Sequence, residues 1–180
     1  MNITREDALK IIDPKWGVTQ FHRWAEECDL LRLKYCIETL GIDVNLTDAT
    51  NAHALYYLAI SKTHDIDAQM RTARYLLDKG ADIFKRVAQT GKLCIHEAIQ
   101  RRNFELFELL LILHKAAHPS FVRESFSCSQ TNRSLLSFAA EGGDLQIVQR
   151  LLNEGADPNV VDFRGNTSLH YAASLFKKND

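Results

Sequence analysis

Histidine is the residue type in this chain whose spacing most directly suggests chemistry, because imidazole binds metal ions and transfers protons near neutral pH. The sequence contains seven histidines, and His114 and His118 stand four positions apart on one face of a predicted helix. A zinc peptidase needs the pattern HExxH, in which the glutamate acts as the base. Here Lys115 replaces that glutamate and Pro119 follows His118 at once. We therefore predict no metal site and no cofactor, and keep a small zinc enzyme built on these two histidines as a disfavoured alternative.

Three other histidines, His22, His96 and His170, recur at one position of a sequence repeat. Packed helix layers lie roughly 10 Å apart, so residues that recur once per repeat cannot share a metal ion. We interpret these three histidines as structural. His53 and His64 fall outside the series, and we expect them at the surface or in loops.

Catalytic motifs are absent from the sequence. It contains no GxSxG, no GxxxxGK[ST] and no GxGxxG after a strand, and no cysteine and histidine that the repeat would bring together with a third orienting group. The paired carboxylates Glu26 with Glu27 and Glu105 with Glu108 are interpreted as solvated helix faces. We predict that the chain is not an enzyme and has no small-molecule substrate.

The composition of the chain excludes several classes of partner. The chain has 180 residues, of which 46% are hydrophobic. The 22 basic and 23 acidic side chains leave a net charge of −1, which gives no electrostatic basis for nucleic-acid binding. The apolar run Leu109 to Leu113 is too short to cross a bilayer, and the amino terminus lacks the pattern of a secretory signal. We therefore expect a cytoplasmic protein without membrane insertion. Its four cysteines form no CxxC pair and are interpreted as reduced and mostly buried, with a disulfide framework as the alternative.

Five segments of the chain repeat one another. Glycine or asparagine opens each segment and tolerates positive φ, which predicts a tight turn before a first helix. Threonine or serine two residues later can cap that helix in three segments, at Thr19, Ser134 and Thr167. A second helix then ends at a glycine, Gly41, Gly80 or Gly155. The apolar anchors of the five segments recur at steps of 34, 40, 41 and 33 residues: Phe21, Leu55, Ile95, Leu136 and Leu169.

The segments GNTSLHYAA (165–173) and LLNEGADPN (151–159) resemble the ankyrin repeat, whose pattern is G-x-T-P-L-H-x-A-A, a second helix and then G-A-D-x-N. The resemblance covers roughly Pro14 to the end of the chain. It implies an all-α, ankyrin-like helical solenoid of four full repeats plus a partial fifth. We assign residues 1–14 to an N-terminal capping helix, opened by Thr4 and Asp7 and running to about Ile12, and residues 15–180 to the repeat domain.

Several positions depart from the family pattern. No repeat has the proline of the first helical turn, and Tyr56 replaces histidine in the second repeat. Insertions near 61–69 and 114–131 lengthen the second and third repeats, and Pro119 should end the helix before it. The last repeat is incomplete at residue 180. We expect that the chain is part of a longer protein; the alternative is that its last helix is a terminal cap.

In the resembling family, the residue after the histidine position faces a concave side that binds partner proteins. This position holds two charged residues, Arg23 and Glu97, and three aromatics, Tyr57, Phe138 and Tyr171. We predict that the aromatics form a row of anchors for a partner; the alternative is that they pack against flanking repeats. Residues at the turn tips would supply a polar rim: Lys85, Arg86, Gln89, Asp162, Phe163 and Arg164.

The predicted function is that of a protein–protein interaction module, a scaffold or adaptor that binds through concave-face helices and turn tips. The alternative is the recognition domain of a larger multidomain enzyme, or of a secreted bacterial effector that is delivered into a host cell and directed at host proteins.

Overall fold

The computed structural model describes residues 3–122 and 128–176. The chain divides into two compact units, Met1–Ala88 (unit 1) and Gln89–Asp180 (unit 2). Helices dominate both units within the described ranges, and each helix of the repeats is short, as expected when a hairpin of two helices is the structural unit.

Unit 1 is built of two helical hairpins and an amino-terminal helix. In the hairpins α2 pairs with α3 and α4 pairs with α5; α2 also packs on α4 and α3 on α5, so that first and second helices form separate layers. Phe21, Leu33, Leu55, Leu58 and Leu76 are fully buried between them. The elements are α1 (Arg5–Leu9), β1 (Ile11–Asp13), β2 (Val18–Thr19), α2 (Gln20–Glu26), α3 (Leu30–Glu38), α4 (Ala54–Ala59) and α5 (Ile66–Asp78).

Unit 2 repeats the same arrangement with two hairpins and a final single helix. In it α6 pairs with α7, α8 pairs with α9, and α10 packs on α8. Ile95, Ile99, Leu106 and Phe107 are fully buried in this unit. The elements are α6 (Cys94–Gln100), α7 (Phe104–Ala117), α8 (Leu135–Gly142), α9 (Leu145–Asn153) and α10 (Ser168–Phe176).

The tight turn predicted before each first helix is confirmed at all five positions, where φ lies between 57° and 78°. Glycine adopts this conformation without strain, and asparagine is among the few other residues that tolerate it. The two asparagines also use their side chains: Asn51 Nδ2 donates to the Arg86 carbonyl at 2.8 Å, and Asn132 Nδ2 donates to the Val161 carbonyl at 3.2 Å. Each asparagine therefore replaces glycine and ties its turn to the next one.

The second helices begin with a side-chain cap that the sequence analysis did not identify. In each described hairpin an aspartate or asparagine accepts a hydrogen bond from the backbone N–H three residues later. This cap satisfies one of the N–H groups that every helix start leaves unpaired. The capping residues are Asp29, Asp65, Asn103 and Asp144.

The predicted amino-terminal helix is shorter than expected. Its capping box is confirmed, because the Thr4 hydroxyl accepts from the Asp7 N–H and the Asp7 carboxylate accepts from the Thr4 N–H. The prediction that it runs to Ile12 is wrong: the helix ends at Leu9, and Ile11–Asp13 pair with Val18–Thr19 as an antiparallel ribbon. Branched isoleucines ahead of a proline favour extended backbone. Ile11 is consequently 56% exposed.

The two predicted insertions extend helices as well as loops. Residues 60–65 link α4 to α5, whereas residues 27–29 link α2 to α3, and α5 has 13 residues against 9 in α3. In the second insertion α7 continues to Ala117 and ends two residues before Pro119, as predicted. The centre of that insertion, residues 123–127, lies outside the described residues.

Candidate functional site

The histidine that recurs in the repeats caps its own helix from within. His22 Nδ1 accepts the Thr19 N–H at 3.1 Å, so the ring proton is on Nε2, which lies 3.1 Å from the Leu46 carbonyl and donates to it. His96 Nδ1 accepts from the Leu93 N–H and His170 Nδ1 from the Thr167 N–H. Burial lowers the pKa of His22, and the hydrogen bond to Leu46, which acts to raise this pKa, has the smaller effect. The predicted structural role of this histidine position is confirmed.

His53 is not at the surface or in a loop, and that prediction is wrong. It occupies the start of α4, where three other repeats have threonine or serine, and its side chain is fully buried. Tyr56 holds the histidine position instead, so both positions depart from the family pattern. Burial lowers the pKa of His53 to about 4, and the nearby charge of Lys85 acts in the same direction. His64 is exposed in the α4–α5 link, as predicted.

The two histidines of the HKAAH segment have different surroundings. His114 is fully buried and its ring stacks on Phe121 with 4.2 Å between the ring centroids. His118 lies exposed just beyond the end of α7. Across residues 3–122 and 128–176, no three histidine, cysteine, aspartate or glutamate side chains are arranged to hold a metal ion.

Two of the predicted anchors, Tyr57 and Tyr171, are held by aspartates of the preceding turn. The Tyr57 hydroxyl donates to Asp48 Oδ2 at 2.7 Å, and the Tyr171 hydroxyl donates to Asp162 Oδ2 at 2.5 Å. The other carboxylate oxygen organises the turn: Asp162 Oδ1 accepts the N–H groups of Arg164 and Asn166, each at 2.8 Å. We call each such aspartate–tyrosine pair a clamp.

The clamps have a sequence signature that the sequence analysis missed. Aspartate and tyrosine stand nine residues apart in both clamps, and they occur together, in the second and fifth repeats. The other three repeats have neither residue at these positions, which hold Pro14 and Arg23, Ala88 and Glu97, and Ser129 and Phe138. The nine-residue spacing between aspartate and tyrosine therefore marks the two clamps in the sequence.

The clamp in the fifth repeat fixes the charge of its carboxyl group. Asp162 is 7% exposed, and this burial acts to raise its pKa. Hydrogen bonds from the Tyr171 hydroxyl and from the two backbone N–H groups outweigh burial and hold the pKa at about 2. Burial is the largest cause that raises the pKa of Tyr57, and the hydrogen bond to Asp48 raises this pKa further.

Phe138 lies in the packing between repeats, which is the alternative considered for the aromatic row. It is 3% exposed, and its ring contacts the His96 ring with 5.2 Å between centroids. The Arg133 guanidinium lies between two of the predicted anchors, 4.1 Å from the Phe138 ring centroid and 3.8 Å from that of Tyr171. It also donates to Glu141 at 2.7 Å. Partner contact by Tyr57 and Tyr171 stays a prediction.

The other predicted binding residues divide into paired and exposed groups. Arg23 is exposed and pairs with Glu26 at 3.1 Å, whereas Glu97 is buried and pairs with Lys92 at 3.0 Å. Among the turn-tip residues Lys85 and Arg86 are half-buried, while the exposed ones are Gln89, Phe163 and Arg164.

A cavity of about 380 Å³ opens at the turn tips of the fourth and fifth repeats in unit 2. It brings together four of the predicted site residues with Arg133 and Glu141, which sequence reasoning did not select. The predicted residues that line the cavity are Asp162, Phe163, Arg164 and Tyr171.

Replacing Asp162 with alanine is expected to destabilise unit 2 by about 2 kcal/mol, because two backbone N–H groups and a hydroxyl lose their acceptor. Replacing Tyr171 with phenylalanine removes one hydrogen bond and keeps the ring over Arg133, so we expect a loss of about 1 kcal/mol. Urea unfolding followed by circular dichroism measures both. Equal losses for the two variants would show that the aspartate does not organise the turn.

Comparison with known proteins was consistent with this architecture. A family model described as "Ankyrin repeats (many copies)" matches residues 123–172. The chain is 25% identical to the E3 ubiquitin-protein ligase KEG of Arabidopsis thaliana over 90% of the chain and 9% of that protein. It is 25% identical to an ankyrin repeat protein of fowlpox virus over 73% of the chain and 82% of that protein. It is 48% identical to ankyrin repeat domain-containing protein 46 of Danio rerio over 30% of the chain and 22% of that protein.

Stacked helical hairpins that are joined by tight turns define a helical repeat protein. In this protein two of the turn tips also form a polar and aromatic cavity. Residues 123–172 match the ankyrin repeat family and similar proteins carry ankyrin repeats, so both the resemblance and the fold class predicted from the sequence are confirmed. Repeats of this family generally act as protein–protein interaction modules. No helix in the described part of the chain is both long and apolar enough to span a membrane. The chain spans about a tenth of the plant ligase and about a fifth of the fish protein.

Proposed function

We propose that the chain binds a partner protein through its turn tips and first helices, and that it acts as a scaffold or adaptor without catalysing a reaction. The observation that carries this proposal is the position of Phe163. This large aromatic is 73% exposed at a turn tip, and its backbone N–H is hydrogen-bonded to the Thr131 carbonyl at 3.1 Å. Aromatic residues are enriched among the anchors of protein interfaces, and a fixed backbone lowers the cost of ordering such an anchor on binding.

The hydrogen bonds that the recurring histidines and the clamp aspartates make within the fold support a binding role over a catalytic one. The recurring histidines are bound to helix starts, and the clamp aspartates accept hydrogen bonds from backbone and tyrosine. A general base needs a lone pair available to the substrate. These groups have their lone pairs committed to the fold.

The test compares two exposed apolar residues of unit 2. Phe163→Ala alters the turn tip, and Leu145→Ala alters a residue of equal exposure, 74%, at the start of a second helix. Immobilised chain is incubated with cell lysate, and retained proteins are quantified by mass spectrometry. We expect Phe163→Ala to reduce recovery of the main partner at least tenfold and Leu145→Ala to leave it unchanged. Equal recovery with both variants would reject binding at the turn tips.

A second candidate is that the chain is the recognition part of a larger enzyme or of a secreted bacterial effector. The length of the relatives supports it, since the match covers 9% of the plant ligase and 16% of an L-asparaginase of Dirofilaria immitis. Sequencing of the transcript beyond the codon for Asp180 tests this proposal. A reading frame that continues into a non-repeat domain supports it, and a stop codon directly after Asp180 counts against it.

A cytoplasmic location, whether in the producing cell or in a host cell, is part of the same proposal. All four cysteines are free and buried, as expected for a chain in a reducing compartment: Cys28, Cys36, Cys94 and Cys128. Fractionation of cells that produce the tagged chain would test the location.

A further inference from the structure

The cavity at the turn tips of the fourth and fifth repeats is lined by two arginines and two carboxylates, and one of the arginines has no partner within the described residues. Of the four charged residues that line it, Glu141 is paired with Arg133 at 2.7 Å, and Asp162 accepts hydrogen bonds in its clamp. The guanidinium of Arg164 has neither an ion-pair nor a hydrogen-bond partner among the residues that the structure describes. Both carboxylates therefore already have partners within the protein, whereas the Arg164 guanidinium remains available to a ligand.

A second donor in the cavity wall also lacks an acceptor. Arg133 is 13% exposed, and its Nε is a buried donor without a hydrogen-bond partner within the described ranges. A buried donor without an acceptor costs free energy, and a negative charge placed in the adjoining cavity would offset part of that cost. Together with Arg164, this donor favours an anionic ligand.

The cavity is held in its shape before any ligand arrives. The Asp162 clamp fixes the backbone of Arg164, and the Phe163 N–H donates to the Thr131 carbonyl. The Asn132 side chain adds a third bond, to the Val161 carbonyl. Binding therefore requires little ordering of the turn tip, which is the condition under which a few contacts give useful affinity.

We propose that this cavity binds an acidic side chain of a partner protein. The carboxylate of an aspartate or glutamate pairs with Arg164, and an apolar neighbour of that residue packs on Phe163. The exposed aromatic distinguishes this ligand from a free small anion, which would make no use of it. The inference rests on the proposed function and deepens it by naming the chemistry of the partner.

The experiment uses a phage-displayed library of random 12-residue peptides, selected on the immobilised chain. We expect the enriched peptides to carry aspartate or glutamate next to an apolar residue. Titration calorimetry then compares the best peptide with a version that has Gln or Asn in place of the acid, and we expect the second to bind at least tenfold more weakly. Enriched peptides without an acidic residue, or no enrichment at all, would overturn the inference. Retention of lysate proteins that depends on Phe163 would still support the proposed function in that case.

Variants of the chain assign the effect to the cavity. Arg164→Gln is expected to weaken the best peptide at least tenfold, and Arg101→Gln, an exposed arginine in the α6–α7 link, is expected to leave its affinity unchanged. Circular dichroism confirms that both variants are folded. Equal affinity of the two variants would overturn the role of Arg164. A phosphoserine version that binds at least tenfold more tightly than the acidic peptide would overturn the assignment to a carboxylate in favour of a phosphorylated segment.

Discussion

Replacing Gly91 with alanine is expected to destabilise unit 2 by about 3 kcal/mol or more. Gly91 has a φ of +66°, where any side chain costs about 1 to 2 kcal/mol. A Cβ at this position would also lie 2.3 Å from Ser129 Oγ and 2.8 Å from the backbone nitrogen of Gln130. The serine side chain can rotate away, but the Gln130 backbone cannot move without shifting the neighbouring turn.

Gly165→Ala is the matched control for this prediction. Gly165 occupies the same position of its repeat, also at positive φ, and a Cβ there would meet nothing within 4 Å. We expect this variant to lose only the backbone cost, about 1 to 2 kcal/mol. Urea unfolding followed by circular dichroism gives both free energies. A loss for Gly91→Ala no greater than that for Gly165→Ala would show that the close approach of the two turns is absent in solution.

Lowering the pH from 6.5 to about 4 is expected to weaken unit 1 by about 3 kcal/mol through His53. Burial holds the pKa of this histidine at about 4, whereas the unfolded chain takes up the proton near pH 6.5. Because the unfolded state binds more protons across this interval, the free energy of unfolding is greatest above pH 6.5 and falls as the pH falls towards 4. His22, whose pKa burial also lowers, acts in the same direction.

Two measurements check the effect of His53. The urea midpoint is followed from pH 7.5 to 4, and the imidazole resonance is followed by NMR over the same interval. His53→Gln is expected to reduce the slope of stability against pH, whatever its stability at neutral pH, and His64→Gln, at an exposed position, is expected to leave the slope unchanged. An imidazole of His53 that titrates near pH 6.5 in the folded protein would contradict the prediction.

The features of the fold that the sequence predicted correctly are those that a few neighbouring residues determine. Positive φ at Gly91 or Asn132 follows from the residue type, and the capping box follows from Thr4 and Asp7. The end of the first helix was placed too late because Ile11 pairs with Thr19 across the ribbon, and helical periodicity carries no information about that contact.

The site was less predictable because its residues are positioned by contacts between repeats. The type of Phe163 and its place in a turn were enough to select it. The burial of Phe138 and the insertion of Arg133 between two rings depend on how neighbouring repeats pack, which spacing alone does not define. The clamps are an intermediate case, since their nine-residue spacing is visible once Asp48 and Tyr57 are known to touch.

The paired departures at His53 and Tyr56 bear on any attempt to regularise this protein by consensus design. Restoring histidine at position 56 alone would set two imidazoles at one helix start, and restoring threonine at position 53 alone would leave the volume of a fully buried ring unfilled. The two positions are therefore expected to be epistatic, so that the double replacement is tolerated better than either single one.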